Sequence, residues 1–475
     1  MLFMTDPKIE DITSIVDGKF TQRGKMEEMI SLVTKTTWGN IASATDDEIQ
    51  KALEVVQKNP KLELPTYLKA KILEEIADHM LSSKENLALC ITIEMGKPIA
   101  DARGEVTYAA NYFKWYAEEI KRVYGKVIPS SKKNKKLEVR YEPIGPCAII
   151  TPWNFPIAMA ARKIAPALAA GCPVIVKPSS FSPASLLILA SICLEVGLPD
   201  HALQVLIGPG NLVAKALMDS PAIKKFSFTG STSTGTNLYV QGAKTLKKCT
   251  LELGGNAPFI VFDDADIVAA AKGATDAKFR LSGQTCICAN RIFVHKDVEA
   301  KFIEEFSANV KKLILGDPRK EETELSNILH PESLKKSERH VKDALQKGAK
   351  ALLNRSEPYE AEILTNVTPE MEVFNEETFG PVAPIITFES EKEVIRLANQ
   401  TPFGLAAYVY TEGHKRAERV TNALEYGVIG LNDPLPSSPE SSFGGIKASG
   451  FGREGGPSGI YEYLTEKFVS EQLES

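Results

Sequence analysis

Three residues whose types suit acyl transfer stand out in the sequence, far apart along the chain. Cys286 lies in a run of small and polar residues, 283–291, where a thiol can act as a nucleophile. Glu252 ends an apolar run, and a carboxylate held there can serve as a general base for water. Asn154 lies between a β-rich run and a helical one, so its side-chain amide can donate to an oxyanion.

Together these groups suit chemistry that passes through a covalent thioester, for example the oxidation of an aldehyde. A thiolate that attacks an aldehyde carbon gives a thiohemiacetal, which becomes a thioester once hydride passes to a nicotinamide, and water then releases the acid. Singly, each residue has a plainer explanation, because thiols pack in cores, glutamates beside glycines form caps or ion pairs, and asparagines form turns. The polar neighbours of Cys286 favour the chemical interpretation.

The composition is that of a globular protein large enough for two or three domains. The 475 residues include 25% charged and 43% hydrophobic side chains, and the formal net charge of −5 gives no reason to expect nucleic acid or an anionic membrane as a partner. Seven scattered cysteines do not indicate a disulfide framework, and the six histidines have no spacing that pairs them with cysteines on a metal. We expect a soluble protein of a reducing compartment, the cytoplasm, without a metal.

No segment has the pattern of a secretory signal or a membrane span. Residues 1–7 lack a basic region followed by an apolar core. The longest apolar stretch, Ala165–Val176, contains two prolines and a glycine and is too short to cross a bilayer. Both observations agree with a soluble protein.

The middle of the chain alternates β-rich and helical runs. Strands are predicted at Ile144–Ile150, Cys172–Val176, Gln204–Ile207, Lys225–Phe228 and Pro258–Phe262. Helices are predicted at Ile157–Ala170, closed by Gly171, and at Ser182–Val196, begun by the Ser182-Pro183 cap signal and ended by Gly197. This alternation predicts a parallel, doubly wound sheet.

Ligands of such sheets bind at the carboxyl ends of the strands. Asn154, Lys177 and Gly230 each follow or end a predicted strand. The turn at Gly230 leads into a helix, whose free N–H groups and dipole suit a pyrophosphate, and Lys177 can hydrogen-bond ribose hydroxyls or a phosphate. We expect these residues to meet at one edge of the sheet.

Two regions flank this core. Residues Asp46–Glu118 are helical in pattern, and their aromatic residues Tyr108, Tyr112, Trp115 and Tyr116 lie at helical spacing, which is typical of packing, here against a partner subunit, and not of a cofactor site. A second βα-like region begins at Asp263. The sequence therefore predicts two lobes with the active site between them.

The chain resembles the aldehyde dehydrogenase family. The resemblance runs from about Ala70 to Val469 and rests on motifs in the family's order, around Asn154, Lys177, Gly230, Glu252, Cys286, Glu377, Phe379 and 443–450. It implies Cys286 as nucleophile, Glu252 as general base and Asn154 as oxyanion donor.

The resemblance also implies the architecture. The expected α/β fold has a doubly wound parallel-sheet cofactor domain (1–121 and 143–253), an α/β catalytic domain (254–462) and a small β oligomerisation extension (122–142 and 463–475). A hairpin near Lys121–Glu142 and a strand near Thr465–Ser470 would then bridge subunits of a homodimer or homotetramer. The residues implied in cofactor binding are Thr151, Pro152, Trp153, Lys177, Ser179, Ser180, Gly210, Phe228, Gly230, Ser231, Leu253, Glu377 and Phe379, the last two gripping the nicotinamide ribose and ring.

Ser180 bears on the choice of cofactor. It stands where relatives that prefer NAD carry a glutamate, which would repel a 2′-phosphate, whereas a serine beside Lys177 can hydrogen-bond to it. We therefore expect a preference for NADP over NAD. The alternative is that Ser180 is merely small and permits both cofactors.

Other positions match the succinate semialdehyde dehydrogenases of the family. Arg162 and Arg280 match residues that bind the substrate carboxylate, for which the planar guanidinium is suited, and Ser437 or Ser438 matches their substrate-binding serine. Cys288 stands two residues from Cys286, as in the same subfamily, so the two thiols could form a reversible disulfide that blocks catalysis. The commoner role of a second cysteine is packing.

The expected function is oxidation of succinic semialdehyde to succinate. The chain departs from the family at the substrate entrance, where Ser442 replaces a proline and 432–436 is proline-rich. The nearest alternative is therefore another small aldehyde, such as glutarate semialdehyde or lactaldehyde. An acylating relative that uses CoA, an esterase without cofactor and a non-catalytic structural or binding protein on the same fold are the further alternatives.

Overall fold

The computed structural model describes residues 11–21, 26–328 and 330–474. The prediction made for residues 1–7 lies outside these ranges. Within them, the helices are α1 (Asp46–Lys58), α2 (Thr66–Ser82), α3 (Lys84–Met95), α4 (Ile99–Glu119), α5 (Ala158–Ala170), α6 (Ala184–Glu195), α7 (Gly210–Asp219), α8 (Thr232–Ala243), α9 (Ile267–Phe279), α10 (Glu299–Val310), α11 (Pro331–Gln346), α12 (Glu372–Asn375), α13 (Glu391–Asn399) and α14 (His414–Ala423).

The strands of the described residues are as follows: β1 (Ile15–Val16), β2 (Lys19–Phe20), β3 (Met26–Ile30), β4 (Thr37–Ala42), β5 (Lys126–Ile128), β6 (Lys135–Pro143), β7 (Cys147–Ile150), β8 (Val174–Lys177), β9 (Leu203–Val205), β10 (Lys225–Thr229), β11 (Lys248–Glu252), β12 (Ala257–Val261), β13 (Ala289–His295), β14 (Leu315–Gly316), β15 (Leu325–Ser326), β16 (Lys350–Ala351), β17 (Glu362–Thr365), β18 (Val382–Phe388), β19 (Phe403–Gly404), β20 (Ala406–Tyr410), β21 (Val428–Leu431), β22 (Ile446–Lys447), β23 (Gly450–Phe451) and β24 (Leu464–Gln472).

Two mostly parallel sheets form the centres of two lobes. The first has the order β2-β1-β9-β8-β7-β10-β11-β23, in which the five strands from β9 to β11 are parallel. The second has the order β16-β17-β18-β13-β12-β20-β21, and only its edge strand β16 is antiparallel. These sheets confirm the predicted α/β fold.

Apolar residues cover both faces of the first sheet, because successive side chains of a strand point to opposite faces. In β7, Cys147 and Ile149 join a core with α2 to α6, whereas Ala148 and Ile150 join a separate core with α1 and α7. Burial on both faces explains why this strand is continuously apolar. The second sheet also has a core on each face.

Two local predictions need correction. The strand predicted at Pro258–Phe262 forms as β12, but it belongs to the second sheet and does not continue the first. Helix α6 begins at Ala184 without a side-chain cap from Ser182. Its first N–H group is instead bound by Glu94 of α3, whose Oε2 accepts from the backbone of Ala184 at 2.9 Å, while the Ser185 hydroxyl donates to Oε1.

A third sheet, in the order β24-β6-β5, extends from the lobes. Its strands pair antiparallel over nine residues of β24, from Leu464 to Gln472. It coincides with the segments predicted to bridge subunits. The short strand β23, within the range predicted as catalytic domain, pairs with β11 of the first sheet. Among the described helices, none is long and apolar enough to cross a membrane.

Candidate active site

A cavity of about 670 Å³ opens between the two lobes at the carboxyl ends of β7, β10 and β11. The predicted site residues that line it are Thr151, Pro152, Trp153, Asn154, Arg162, Phe228, Gly230, Ser231, Glu252, Leu253, Arg280, Cys286, Glu377, Phe379 and Ser437. The predicted residues outside this lining are Lys177, Ser179, Ser180, Gly210, Cys288 and Ser438. Cys286, Glu252 and Asn154 thus meet in one cavity.

A strained turn carries Cys286 into the cavity. Leu281, Ser282 and Gly283 follow α9 with φ values of +50°, +53° and +78°, a left-handed conformation that is costly for side chains other than glycine. Contacts from other elements hold it: the Leu281 N–H donates to Asp101 Oδ2 at 3.2 Å, and a Cβ on Gly283 would lie 2.3 Å from the Gly380 carbonyl oxygen. The loop that bears Cys286 is therefore fixed from outside.

Cys286 is a thiol in this arrangement. Burial raises its pKa to about 12, and the positive charge of Arg162 acts against that shift without reversing it. The Asn154 amide donates to the backbone carbonyl of Gln284 at 2.8 Å, which fixes the amide beside the same loop. An amide nitrogen has two hydrogens, so one remains for an oxygen bound in the cavity.

Glu252 faces the cavity as an almost fully buried carboxyl group. Within the described residues, neither of its carboxylate oxygens has a hydrogen-bond partner. Burial raises its pKa well above the usual range, and the negative charge of Glu454 raises it further. A Cβ on Gly444 would lie 2.9 Å from Glu252 Oε1, so glycine leaves room for the carboxyl group. An unpartnered carboxyl group of this kind suits proton transfer to or from a ligand or water.

Behind Glu252 lies a buried ion-pair cluster that the sequence analysis missed. Glu454 accepts from Lys163 and from Ser227, and its Oε2 lies 2.9 Å from Arg162 Nε. Burial opposes the charge of Glu454, but Lys163 and Arg162 together lower its pKa. The available signal was an acidic residue within the glycine-rich run 452–456.

One side of the cavity fits the nicotinamide half of a cofactor. Glu377 accepts from the Gly255 N–H at 3.1 Å, and the Phe379 ring packs edge-on against Trp153 at 5.9 Å. The buried hydroxyls of Thr151 and Thr229 have no partner within the described part of the chain. Burial raises the pKa of Glu377 to about 7. Unpartnered hydroxyls beside a carboxylate and an aromatic ring suit a ribose and a planar heterocycle.

Two further groups of residues fit the phosphates and the adenosine end. Ser231 caps α8, its hydroxyl accepting from the Thr234 N–H, so the predicted helix start after Gly230 forms. Lys177 ends β8, and its Nζ lies 4.0 Å from the position of a Cβ on Gly210 at the start of α7. Burial lowers the pKa of Lys177 to about 8. The hydroxyl of Ser180 donates to the Gly208 carbonyl at 2.8 Å.

The opposite side of the cavity has cationic and hydroxyl groups. Arg280 faces the Phe155 ring at 5.7 Å and, within the described residues, has no ion-pair partner. Arg162 is buried against the Phe443 ring at 4.2 Å and pairs with Glu454. Ser437 lines the cavity, whereas Ser438 makes only local contacts with Ser441.

The prediction that the aromatic residues of α4 serve only in packing is wrong for Tyr108. Its neighbours Tyr112 and Tyr116 are fully buried, as expected for packing. Tyr108 itself lines the cavity, and its hydroxyl lies 2.6 Å from Ser437 Oγ. Helical spacing identified the stripe but could not tell which ring meets the site.

All seven cysteines are free thiols. Cys288 lies in the protein interior, where its Sγ is 3.4 Å from Lys278 Nζ. In the described part of the chain, one group of three side chains could hold a cation: His340, Glu372 and Glu376. Arg339 already pairs with both of these glutamates, at 2.7 Å and 2.5 Å, so the group is an ion-pair cluster.

Comparisons with known proteins place the chain in one enzyme family. The model of the Aldehyde dehydrogenase family matches residues 20–469. The NADP(+) succinate-semialdehyde dehydrogenase GabD of Escherichia coli (strain K12) is 45% identical over 407 residues, 84% of this chain and 84% of that protein. A glutarate-semialdehyde dehydrogenase of Pseudomonas putida is 46% identical over 394 residues, 82% of each chain. A crystal structure of succinate-semialdehyde dehydrogenase from Burkholderia pseudomallei has a TM-score of 0.94 and 43% identity, covering 97% of this chain and 98% of that one.

Proposed function

The chain belongs to the aldehyde dehydrogenase family, and from that premise we propose that it oxidises succinic semialdehyde to succinate with reduction of NADP. The observation that carries the substrate proposal is that Arg162, Arg280 and Ser437 line the same cavity as Cys286. A guanidinium such as that of Arg280, which has no ion-pair partner among the described residues, suits a carboxylate bound some distance from a reacting aldehyde. The names of the relatives from E. coli and B. pseudomallei support the same substrate.

Cys286, Asn154 and Glu252 carry the chemistry in this proposal. Burial keeps Cys286 a thiol, so its proton passes to water in the open cavity as the sulfur attacks the aldehyde carbon. The free amide hydrogen of Asn154 stabilises the oxyanion that forms. A nicotinamide cofactor held beside Cys286 would accept the hydride, and the acyl group would stay on Cys286 as a thioester. Glu252 then takes a proton from the water that hydrolyses the thioester, since its oxygens have no other partner in the described residues.

The cofactor residues act by position. Glu377, anchored by Gly255, would hold the nicotinamide ribose, and Phe379 with Trp153 would hold the ring. The α8 turn would bind the pyrophosphate. Lys177 and Ser180 would contact the adenosine ribose. Because position 180 carries a serine and not a carboxylate, no negative charge there would repel the 2′-phosphate of NADP. We propose NADP as the preferred cofactor on this ground, and the name of the E. coli relative supports it.

We propose that the chain forms a homo-oligomer. We also propose that it works in a reducing compartment, the cytoplasm. Val127 of β5 and Phe468 of β24 are 73% and 60% exposed, which is unusual for large apolar side chains on a small sheet. A second copy packed against this sheet would bury them. The seven free thiols agree with a reducing compartment.

Glutarate semialdehyde is the second candidate substrate. It is one methylene longer than succinic semialdehyde and carries the same carboxylate. The P. putida relative named for that substrate is as similar to this chain as the E. coli one. The distance from Cys286 to the cationic groups would decide between the two substrates. One methylene changes kcat/KM by only about 10–200-fold.

The test is a steady-state assay of cofactor reduction. Succinic semialdehyde, glutarate semialdehyde and uncharged butyraldehyde are each compared with NADP and with NAD, in the wild type and in Arg280→Ala. We expect the highest kcat/KM for succinic semialdehyde with NADP, and a loss of carboxylate selectivity in the variant. A wild type that turns over butyraldehyde equally well would overturn the substrate proposal and keep the dehydrogenase chemistry.

A further inference from the structure

A continuous line of polar groups runs from the cavity into the interior. Ser437 Oγ lies 2.6 Å from the Tyr108 hydroxyl, which lies 2.8 Å from the Tyr112 hydroxyl. The Tyr112 hydroxyl in turn lies close to Arg162: burial raises the pKa of this hydroxyl, and the guanidinium charge acts against that rise. Tyr108 and Tyr112 are one turn apart on α4, and their rings meet edge-on at 5.0 Å. The line therefore joins two of the groups that the substrate proposal uses.

The chemistry of these groups gives the line a direction. A guanidinium is a cation that can only donate, so the Tyr112 oxygen, and not its hydrogen, faces Arg162. The Tyr112 hydroxyl hydrogen is then left for the Tyr108 oxygen, and the Tyr108 hydrogen for Ser437 Oγ. With its oxygen occupied in this way, Ser437 keeps its own hydrogen free for a group bound in the cavity that it lines.

Arg162 is well placed to fix this direction. Its Nε lies 2.9 Å from Glu454 Oε2, and its guanidinium packs on the Phe443 ring. Both Arg162 and Tyr112 are fully buried, so water does not compete for their hydrogen bonds. Hydrogen bonds in such a chain polarise one another and strengthen the terminal donor.

We propose that Tyr108, backed by Tyr112, is a positioning residue that makes Ser437 a hydrogen-bond donor to the carboxylate of the substrate. This inference rests on the proposed oxidation of a carboxylated aldehyde. An anion at the end of the line gains the aligned donor, whereas an uncharged aldehyde gains little. Tyr108 therefore determines specificity without touching the reacting carbon.

The test removes one hydroxyl at a time. Tyr108→Phe keeps the ring and its contact with Tyr112, and we expect KM for succinic semialdehyde to rise roughly tenfold, the scale of a hydrogen bond to a charged group. The value of kcat should stay within about twofold, since the reacting groups are untouched, and kcat/KM for butyraldehyde should not change. Tyr112→Phe should shift KM in the same direction by less, because Tyr108 can still donate to Ser437.

Tyr116→Phe is the matched control. Tyr116 lies one turn beyond Tyr112 on α4 and does not line the cavity. Its hydroxyl donates to the Gly456 carbonyl at 3.3 Å. Its loss should leave the selectivity for carboxylated aldehydes unchanged. In the double variant Tyr108→Phe/Ser437→Ala, KM should equal that of Ser437→Ala alone, because Tyr108 acts only through Ser437.

The outcomes separate the two proposals. If the wild type and Tyr108→Phe prefer succinic semialdehyde to the same extent, the role of Tyr108 is overturned while the proposed substrate stands. Additive effects of Tyr108→Phe and Ser437→Ala also overturn that role of Tyr108, since they would show independent roles. A wild type without preference for the carboxylated aldehyde overturns the proposed substrate and this inference together.

Discussion

The Nζ atom of Lys278 lies 3.4 Å from the Sγ atom of Cys288, and both side chains are buried. Cys288 also donates to the Lys278 carbonyl at 3.4 Å. Cys286, two residues earlier, lines the cavity instead. A disulfide between the two cysteines therefore requires Cys288 to leave Lys278 and the loop to rearrange.

Reversible oxidation at Cys288 stays a prediction, and it can be tested with peroxide. We expect peroxide to inactivate the wild type and dithiothreitol to restore its activity, because a disulfide protects Cys286 from further oxidation. In Cys288→Ser that protection is lost, so dithiothreitol should restore little activity. The half-buried Cys249 gives the control variant Cys249→Ser, which should behave as the wild type. Equal recovery of Cys288→Ser and the wild type would contradict the prediction.

Glu252 predicts the pH dependence of turnover. Burial, with the charge of Glu454, raises its pKa, so the basic carboxylate is present only above that raised pKa. Thioester hydrolysis should therefore increase as the pH rises, and Glu252→Gln should lose that increase together with about 10²–10⁴ in rate. The measurement is kcat against pH for both proteins, with iodoacetamide labelling to show that Cys286 stays accessible. The same pH profile in both would contradict the role of Glu252.

Ser180 predicts a switch of cofactor. In Ser180→Glu a carboxylate would face the 2′-phosphate, and kcat/KM for NADP should fall about tenfold or more while that for NAD is retained. Ser180→Ala removes the hydroxyl without adding charge and is the matched control, which should keep the NADP preference within a few-fold. Values of kcat/KM for both cofactors decide the point. An unchanged NADP to NAD ratio in Ser180→Glu would contradict it.

Glu94 predicts a pH dependence of stability. Burial raises its pKa from 4.5 to about 8 in the folded protein. The unfolded chain thus loses the proton at lower pH than the folded one, so the stability from this group is full below about pH 4.5 and is lost as the pH rises through about 8. In Glu94→Gln an amide oxygen can still accept from Ala184. Its Tm relative to the wild type should rise with pH over this window. A constant Tm difference would show that Glu94 does not titrate there.

Local sequence patterns predicted the helices and strands better than the distant residues and sheets with which they make contact. The β7–α5–β8 unit was predicted almost within its bounds because apolar runs, the left-handed Gly171 and strand length are local signals. The start of α6 was not predicted correctly, because its first N–H group is bound by Glu94, 90 residues earlier in the chain. Likewise, a buried parallel strand such as β12 has the same pattern in either sheet.

The same limit applies to the site. Cys286, Glu252 and Asn154 were recognisable because their neighbours form specific motifs. Glu454 and Tyr108 were not, since their roles come from contacts with Lys163 and Ser437 that only the folded chain makes. Sequence spacing shows which residues share a face of a helix, but not what that face meets.

The most direct test of the account is to find the covalent intermediate. Glu252→Gln is mixed with succinic semialdehyde and NADP, stopped in acid, digested and examined by mass spectrometry. We predict reduced cofactor in about one equivalent per subunit, and a succinyl thioester on the peptide that contains Cys286, because acylation proceeds and hydrolysis is slowed. Reduced cofactor without a thioester on Cys286, or a succinyl group on another cysteine, would contradict the account.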